Sequence, residues 1–375
     1  MNMMPAKVEA ARDAGEGVTA VPPGEVVVQK ADHKEKVFTL INRSSRFFDI
    51  LALSWVTPLL LIAAGDSPKR NLAQVWQGLG VPVAAILIFL FAWSQAAPQV
   101  KTSLGSVPGP AEVYAQALVL HSEHLRETER ARDFQERQSA RNAALIEAGR
   151  GGEVRERSYT GKPTYYQQIW TSLKTVFFGF FLATLIAAPL GILMGMSPTV
   201  NAAVNPLIQI FKPVSPLAWL PIVTMVVSAT VSNDAAISKA FLNSAITVML
   251  CSLWPTLINT ALGVASVDKD LVNVGKVLKL GPWTKVTKLM LPSALPLIFT
   301  GMRLSLGVGW MVLIAAEMLA QNPGLGKFVW DEFQNGSSQS LARIIVAVLT
   351  IGTIGFLLDR VMVALQSMFT YSAQR

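Results

Sequence analysis

The feature that most constrains the fold is a set of long apolar segments with almost no charge. No charged residue occurs from Asn71 to Val100, and Leu79 to Ala97 can cross a bilayer at about 1.5 Å per residue. Because the bilayer core offers the backbone no hydrogen-bond partners, such segments must be helical. A hydrophobic content of 51% with only 15% charged residues also favours the membrane class. We therefore predict an all-α membrane protein.

The apolar segments divide the chain into regions. We predict a disordered cytoplasmic tail at 1-45, an interfacial helical segment at 46-78, a first transmembrane helix at 79-97, a periplasmic charged helical insert at 98-165, and a core membrane domain at 166-370. For residues 50–64, an interfacial helix is favoured over a span because polar residues and a proline interrupt the segment. With the first helix, the core domain gives about six spans. Its five spans are Trp170–Met196, Ala202–Thr230, Ile237–Gly263, Ser293–Leu319 and Leu341–Gln366.

A charged stretch from Asp268 to Pro292, here called the lysine-rich segment, interrupts this pattern. Apolar residues recur in it at helical spacing, which predicts an amphipathic helix. We expect Gly281-Pro282 to end that helix and Trp283 to face inward on a second short helix. The segment carries five lysines against two aspartates, so it and both chain ends should be cytoplasmic.

The third predicted span is irregular because prolines interrupt it. Proline removes a backbone donor and clashes with the preceding helical turn. Non-helical backbone at membrane depth is tolerated only where protein or a water-filled cavity covers it. The prolines are Pro206, Pro213, Pro216 and Pro221.

Two cations are predicted deep in the membrane. Arg303 lies eleven residues past Pro292, about 16 Å along a helix, and Lys212 lies similarly deep in the third span. Glu317 and Asp359 are predicted at other depths, which leaves both cations without an acidic partner. Such charges usually face a bundle interior or a watery path, so an anion route is the functional interpretation. In the alternative interpretation, Lys212 snorkels and Arg303 binds carbonyls that the prolines free.

Other sites are disfavoured. No G-x-x-x-x-G-K-[ST] motif occurs, so any nucleotide must bind a partner. Gly307 and Gly309, with Gly301, indicate close helix packing rather than a dinucleotide site. His121 and His124 could share one helix face for zinc, but no further His or Cys is nearby, which favours a solvated charged helix and no metal. Basic residues are scattered between apolar segments, which argues against nucleic acid.

Residues 79 to 370 resemble the transmembrane permease subunits of bacterial binding-protein-dependent ABC importers. The signature of that family is Glu-Ala-Ala, three residues, Gly, nine residues, Ile, any residue and Leu-Pro. Here Leu289-Met290-Leu291-Pro292 fits its end, and Asn273-Val274-Gly275 stands where Glu-Ala-Ala would be. Lys279 stands at the glycine position, with Gly281 two places later.

Within that family the chain resembles the branch of nitrate permeases, which also covers taurine, sulfonate and bicarbonate. The most specific stretches are IQIFKPVSPLAWLPIVTMVVSA from Ile208, NVGKVLKL from Asn273, LPSALPLIFTGMRLSLGVGWMVLIAAEML from Leu291 and FVWDEFQNGS from Phe328.

The resemblance implies a type I ABC importer permease fold with a cytoplasmic coupling helix in the loop 264-292. It also implies a homodimer in the bacterial inner membrane, two ABC ATPase subunits that bind ATP and Mg, and a periplasmic anion-binding protein. The expected function is inward transport of nitrate, with nitrite and cyanate as further candidates. Transport of sulfonate, taurine or bicarbonate is the alternative within the class. A membrane scaffold that anchors a soluble enzyme is the alternative of another class.

Two sets of residues are candidates for these roles. We expect Glu317, at the outer end of its span, to pair with a basic group, face the binding protein or be solvated. The predicted substrate pathway comprises Lys212, Pro213, Pro216, Trp219, Arg303 and Trp310. The predicted contact with the ATPase comprises Asp270, Asn273, Gly275, Lys276, Lys279, Gly281 and Pro282.

Overall fold

A computed structural model describes residues 55–64, 68–102, 105–232, 237–337 and 339–373, together with Ser45, Phe48 and Leu53. Residues 1–44 of the predicted tail lie outside the described part. The chain divides into two compact units, which include Leu53–Val81 and Pro82–Arg375, respectively.

The first unit holds two short helices and a π turn. Helix α1 spans Val56–Ala63 and α2 spans Pro68–Val75, followed by the π turn Trp76–Gly80. At eight residues, α1 is too short to cross a bilayer. The interfacial placement of 46-78 stays a prediction.

The second unit is helical apart from a two-stranded antiparallel hairpin, β1 (Lys101–Thr102) and β2 (Gly105–Ser106). Its remaining elements follow in chain order: α3 Val81–Ala96, α4 Pro110–Glu147, α5 Tyr165–Met196, α6 Pro198–Phe211, α7 Pro216–Thr230, α8 Lys239–Ala265, α9 Lys269–Val277, α10 Pro282–Lys285, the π turn Val286–Met290, α11 Leu291–Ala320, α12 Leu325–Asn335 and α13 Ser340–Ala373.

Five helical stretches in the described residues are long and apolar enough to cross a membrane. They are Lys69–Gln99, Tyr165–Met196, Lys239–Ala265, Pro282–Ala320 and Ser340–Phe369. The pair α6 and α7, bent by 103°, makes a sixth if it counts as one span. These helices confirm the all-α membrane fold class, and the bend confirms that the third span is irregular.

Helix α8 lies at the centre of the second unit and packs closely on α5. A Cβ on Gly191 would lie 2.8 Å from the carbonyl oxygen of Leu257, and a Cβ on Gly179 would lie 2.6 Å from that of Ala245. Small residues let two helix backbones approach closely in a membrane. The stripe on α5 that faces α8 recurs every four residues and comprises Gly179, Ala183, Ala187, Gly191 and Gly195.

The opposite side of α8 packs on α11 through a glycine and a polar contact. A Cβ on Gly301 would lie 2.9 Å from the carbonyl oxygen of Pro255, which confirms its packing role. Thr256 donates to Ser305 Oγ through its backbone N–H at 3.0 Å and its hydroxyl at 2.7 Å. Gly307 differs, because no heavy atom lies within 4 Å of its would-be Cβ.

These contacts fix the direction of the helices. The contacts of α5 with α8 advance together along both chains, so the two helices run parallel. Gly263 faces Ala294 whereas Gly309 faces Val248, so α8 and α11 run antiparallel. The lysine-rich segment therefore lies at one end of the helices, and the short helix α12 lies at the other.

We expect Gly191→Val to destabilise the fold, because its Cβ would overlap the backbone of α8. Overpacking of this kind costs about 1–3 kcal/mol, which should lower the apparent Tm by a few degrees. A thiol-reactive dye reports unfolding here through Cys251, the one cysteine of the chain, which is half-buried on α8. Gly352→Val is the matched control, since a Cβ there meets no atom within 4 Å. Equal loss in both variants would contradict the packing argument.

Candidate substrate pathway and coupling surface

Arg303 forms an ion pair with Asp359 between α11 and α13. The Arg303 Nε and Nη2 atoms donate to the two carboxylate oxygens, the second bond at 2.9 Å. Arg360 Nη2 donates to the same carboxylate at 2.7 Å. The expectation that Arg303 lacks an acidic partner is therefore wrong, and so is the alternative in which it binds freed carbonyls.

The error came from the predicted depth of Asp359. Helix α13 continues to Ala373, seven residues past the predicted end at Gln366. Asp359 then lies about 21 Å from the end of its helix, and Arg303 lies about 18 Å from the start of α11. Since these two helix ends lie at the same side of the bundle, the two charges meet.

A cavity of about 230 Å³ opens beside this ion pair. Gly307 lacks a side chain that would fill it, and Trp310 forms part of its wall. The Trp310 ring is buried, and its Nε1 donates to the carbonyl of Ile351 at 3.0 Å, which fixes its orientation. The lining residues are Arg303, Leu306, Gly307, Trp310, Gly355, Leu358 and Asp359.

The remaining pathway candidates lie at the break between α6 and α7. Lys212 follows the last residue of α6 and is exposed, and Pro216 begins α7 with Ser215 as its N-cap. The Trp219 ring lies 5.8 Å from Phe211, and its buried Nε1 has no hydrogen-bond partner among the described residues. None of these residues lines the Arg303 cavity.

Glu317 is neither solvated nor paired with a basic group in the described structure. It is 0% exposed. The Ser172 hydroxyl donates to its carboxylate at 2.8 Å, and the Gly326 amide donates at 3.0 Å. The Leu325 amide in turn donates to Ser172 Oγ at 2.8 Å. Glu317 therefore holds the first turn of α12 against α5 and α11, a helix N-terminus that favours a carboxylate.

A second polar network joins α4, α12 and α13 at the same end of the bundle. Arg343 donates to Glu123 at 2.6 Å and to Glu332 at 3.3 Å. Ser340 also donates to Glu332, at 3.0 Å. These bonds tie the charged insert to the membrane helices.

The first helix of the lysine-rich segment ends earlier than predicted. Helix α9 ends at Val277, and Lys279 follows in the left-handed conformation with φ of 49°. The Leu280 amide donates to the Gly275 carbonyl at 3.0 Å and the Lys279 amide to the Lys276 carbonyl at 3.0 Å, the pattern of a Schellman motif. Lys279 rather than Gly281-Pro282 therefore ends the helix.

The apolar side of the lysine-rich segment is largely uncovered. Trp283, predicted to face inward, is 78% exposed, and Val277 is 81% exposed. Leu271, Val274 and Leu278 are also exposed. Gly275 is buried, and a Cβ on it would lie 2.8 Å from Leu289 Cδ1 of the following π turn. The segment thus offers apolar side chains and lysines to a partner, while its role in binding an ATPase stays a prediction.

His121 and His124 each contact a hydroxyl group at the start of α5. His121 Nδ1 lies 3.1 Å from the Tyr166 hydroxyl, and His124 Nδ1 lies 3.0 Å from Thr164 Oγ1. Within the described ranges, no group of three or more residues could hold a metal ion.

Comparison with known proteins gives a family match over the core helices. The family model described as "Binding-protein-dependent transport system inner membrane component" matches residues 187–370. The nitrate import permease protein NrtB of Synechocystis is 36% identical over 208 residues, 56% of this chain and 71% of that protein. The bicarbonate transport system permease protein CmpB of Synechococcus elongatus is 34% identical over 307 residues, 80% of this chain and 94% of that protein.

Two further similarities extend the range of relatives. The taurine transport system permease protein TauC of Escherichia coli is 33% identical over 207 residues, 55% of this chain and 70% of that protein. Among solved structures, a chain of the MetNI methionine ABC transporter in inward-facing conformations gives a TM-score of 0.47 at 15% identity, covering 55% of this chain and 96% of that chain.

We expect Lys279→Gly to stabilise the end of α9, since a left-handed residue with a side chain costs about 1 kcal/mol more than glycine. Hydrogen exchange of the peptide that covers residues 274–285 should slow about fivefold. Lys276→Gly is the matched control: it places glycine inside the helix, costs about 1 kcal/mol and should speed exchange. Faster exchange in Lys279→Gly would contradict the assigned turn.

Proposed function

The chain belongs to the family of binding-protein-dependent transport system inner membrane components, and we propose that it is the permease subunit of an ATP-driven importer of nitrate. The observation that carries the proposal is the cluster of Arg303, Arg360 and Asp359 beside a cavity within the spanning helices. The chain moves the anion inward by alternating access and is not itself the ATPase. ATP and Mg bind two partner ATPase subunits, and a periplasmic binding protein delivers the anion.

The charge of the cluster suits an anion. Two guanidinium groups face the single carboxylate of Asp359, which leaves the cluster with one net positive charge. Removed from bulk water, such a charge acts more strongly on a nearby ion than it would at the surface. Arg303 keeps 39% of its side-chain surface exposed, so the ion pair does not bury it completely.

The broken third span supplies the route in this proposal. The bend between α6 and α7 interrupts the helix near Lys212, where freed backbone groups need water or a neighbouring chain. Trp219 presents a buried indole N–H without a partner in the described residues. In the proposed homodimer, the pathway runs between two copies of the chain, and Lys212 and Arg303 act at successive positions along it.

Nitrate fits this chemistry because it carries one charge and only accepts hydrogen bonds, so arginine donors suffice. Bicarbonate is the second candidate, favoured by the carboxylate of Asp359 in the cavity wall, which can accept its O–H. The named relatives include permeases for both anions and for taurine. A pure membrane scaffold is disfavoured, since an anchor needs neither intramembrane charges nor a broken span.

The deciding measurement is the ligand of the partner binding protein, tested by calorimetry with nitrate, bicarbonate and taurine. We expect nitrate to bind most tightly. Tighter binding of bicarbonate would replace nitrate with the second candidate, and binding of taurine alone would overturn both.

We predict that Arg303→Gln abolishes nitrate uptake in vesicles while the complex still assembles, because Asp359 then neutralises Arg360. The matched variant Asp359→Asn raises the net positive charge of the cluster, so it should retain uptake with a lower apparent KM for nitrate. Equal loss of uptake and assembly in both variants would show that the ion pair is structural only.

We also predict that Lys276→Glu combined with Lys279→Glu lowers copurification of the ATPase subunit, because both lysines lie on the uncovered lysine-rich segment. Lys279→Gly tests the backbone turn without reversing the charge and should retain the ATPase. Arg132→Glu, a charge reversal at the other end of the molecule, should retain it as well. Full retention by the double variant would point to another docking surface.

A further inference from the structure

The charged insert forms an arm, here defined as residues 123–164, that projects from the membrane helices. Helix α4 is continuous over 38 residues, and Glu123 pairs with Arg343 near the start of α13. On the N-terminal side of Glu123, Val113 and Leu120 of α4 belong to an apolar cluster that includes residues of α13. Past Glu123, α4 continues for about seven further turns. The arm lies at the end opposite the lysine-rich segment.

Residues 154–164, here called the returning segment, run back along α4 and are hydrogen-bonded to it. Tyr159 donates to Glu127 at 2.7 Å, and this bond lowers the pKa of the Glu127 carboxyl. Further along, the Arg157 amide donates to Gln138 at 3.0 Å, and Asn142 donates to the Arg155 carbonyl at 3.4 Å. These bonds hold the backbone of the returning segment and leave the side chains of its arginines unused.

Four arginines converge on a pocket of about 500 Å³ at the far part of the arm. Arg137 and Arg141 lie on one face of α4, and Arg155 and Arg157 lie on the returning segment. The one acid in the wall, Glu153, already accepts two bonds from Arg150, at 2.9 and 2.6 Å. The pocket therefore has a strong net positive charge.

The four arginines differ from their neighbours because none has an ion pair among the described residues. Closer to Glu123, where the arm begins, Arg130 pairs with Glu127 at 3.2 Å, and Arg132 pairs with Glu136 at 3.7 Å. The unpaired arginines are instead gathered in one concave place, which is costly through mutual repulsion unless an anionic group binds there.

We infer that this four-arginine pocket docks an acidic surface of a soluble protein on the outer side of the membrane. Arginine forks bind carboxylates in a bidentate manner, and several carboxylates of one partner can enter a pocket of this size. Charge complementarity of this kind speeds and orients association. The identity of the partner as the anion-binding protein of the same importer rests on the proposed function.

Position argues against a lipid headgroup as the occupant. Arg137 lies about 21 Å and Arg141 about 27 Å along α4 from the Glu123 contact with α13. Both distances exceed the Debye length of about 8 Å at physiological ionic strength, and the helix continues past the start of α13 rather than along it. Size argues against a single nitrate ion, which would contact only part of a pocket that four arginines line.

The first test uses a partner of known chemistry. The full-length chain in nanodiscs of zwitterionic lipid is titrated with a fluorescent ten-residue glutamate peptide. We expect binding that weakens with salt and that falls at least about tenfold, or 1.4 kcal/mol, when Arg137, Arg141, Arg155 and Arg157 are all replaced by glutamine. Arg132→Gln is the matched control and should bind as the wild type does. Equal binding by the fourfold variant would overturn the inference.

The same preparation separates the other occupants. Displacement of the peptide by millimolar nitrate, but not by chloride at equal ionic strength, would assign the pocket to the small anion. Flotation of the chain-bearing nanodiscs with vesicles that contain phosphatidylglycerol, in an arginine-dependent manner and without peptide binding, would assign it to lipid. Either result overturns docking of an acidic protein.

The second test separates this inference from the proposed function. In the assembled importer, the binding-protein concentration that half-maximally stimulates ATP hydrolysis should rise about tenfold in the fourfold variant, with basal hydrolysis unchanged. Stimulation that the variant does not alter would overturn this partner. A wild-type complex that shows no stimulation by the binding protein would instead overturn the proposed function, while the peptide titration still decides the inference about the pocket.

Discussion

The close approach of α8 to α5 and α11 is the contact on which the rest of the structure depends. Lipid is as apolar as a leucine side chain, so burial of apolar surface does not hold spanning helices together. In this protein, close contact between helix backbones holds the spanning helices together. Gly179 and Gly191 of α5 allow α8 to approach on one side, and Gly301 of α11 allows the approach on the other side. The Thr256 bonds to Ser305 add directional contacts that lipid cannot replace.

The positions of the charges follow from this central packing. Because α5 and α11 are both fixed to α8, Ser172 and Glu317 meet at one end, where hydroxyl and amide donors satisfy the buried carboxylate. Arg303 leaves the same helix α11 on another face and meets Asp359 of α13. One acid is thus satisfied by neutral donors and holds a helix, whereas the other shares two arginines and leaves a net positive charge. The two carboxylates therefore serve different purposes although both lie in apolar segments.

The helices could be predicted from the sequence, but the contacts between their charges could not. Apolar length and proline content are local properties, so they predicted the long apolar helices and the break between α6 and α7. Pairing of Arg303 with Asp359 depends on where α13 ends, and its last seven residues are less apolar than its middle, so hydropathy placed that end too early. Lys279 shows a similar limit: the Gly-Pro pair is the stronger local stop signal, yet the Schellman bonds from Leu280 and Lys279 end the helix earlier. Asp359 and Arg360 are adjacent charges within an apolar segment, which is the sequence signal that marks this position.

A continuous set of contacts links the two uncovered surfaces of the molecule. The stretch Pro282–Ala320 is one helical run of 39 residues that begins in the lysine-rich segment and carries both Arg303 and Glu317. Glu317 accepts a hydrogen bond from the first turn of α12. At the other end of α12, Glu332 accepts a hydrogen bond from Arg343, which also donates to Glu123, the first residue of the arm. The exposed Trp283 end, the Arg303 cavity and the α12 contact therefore all lie on one helical run, which contains a π turn at Val286–Met290. The Arg303 cluster, a candidate anion site, therefore lies on the same helical run as the exposed end of the lysine-rich segment.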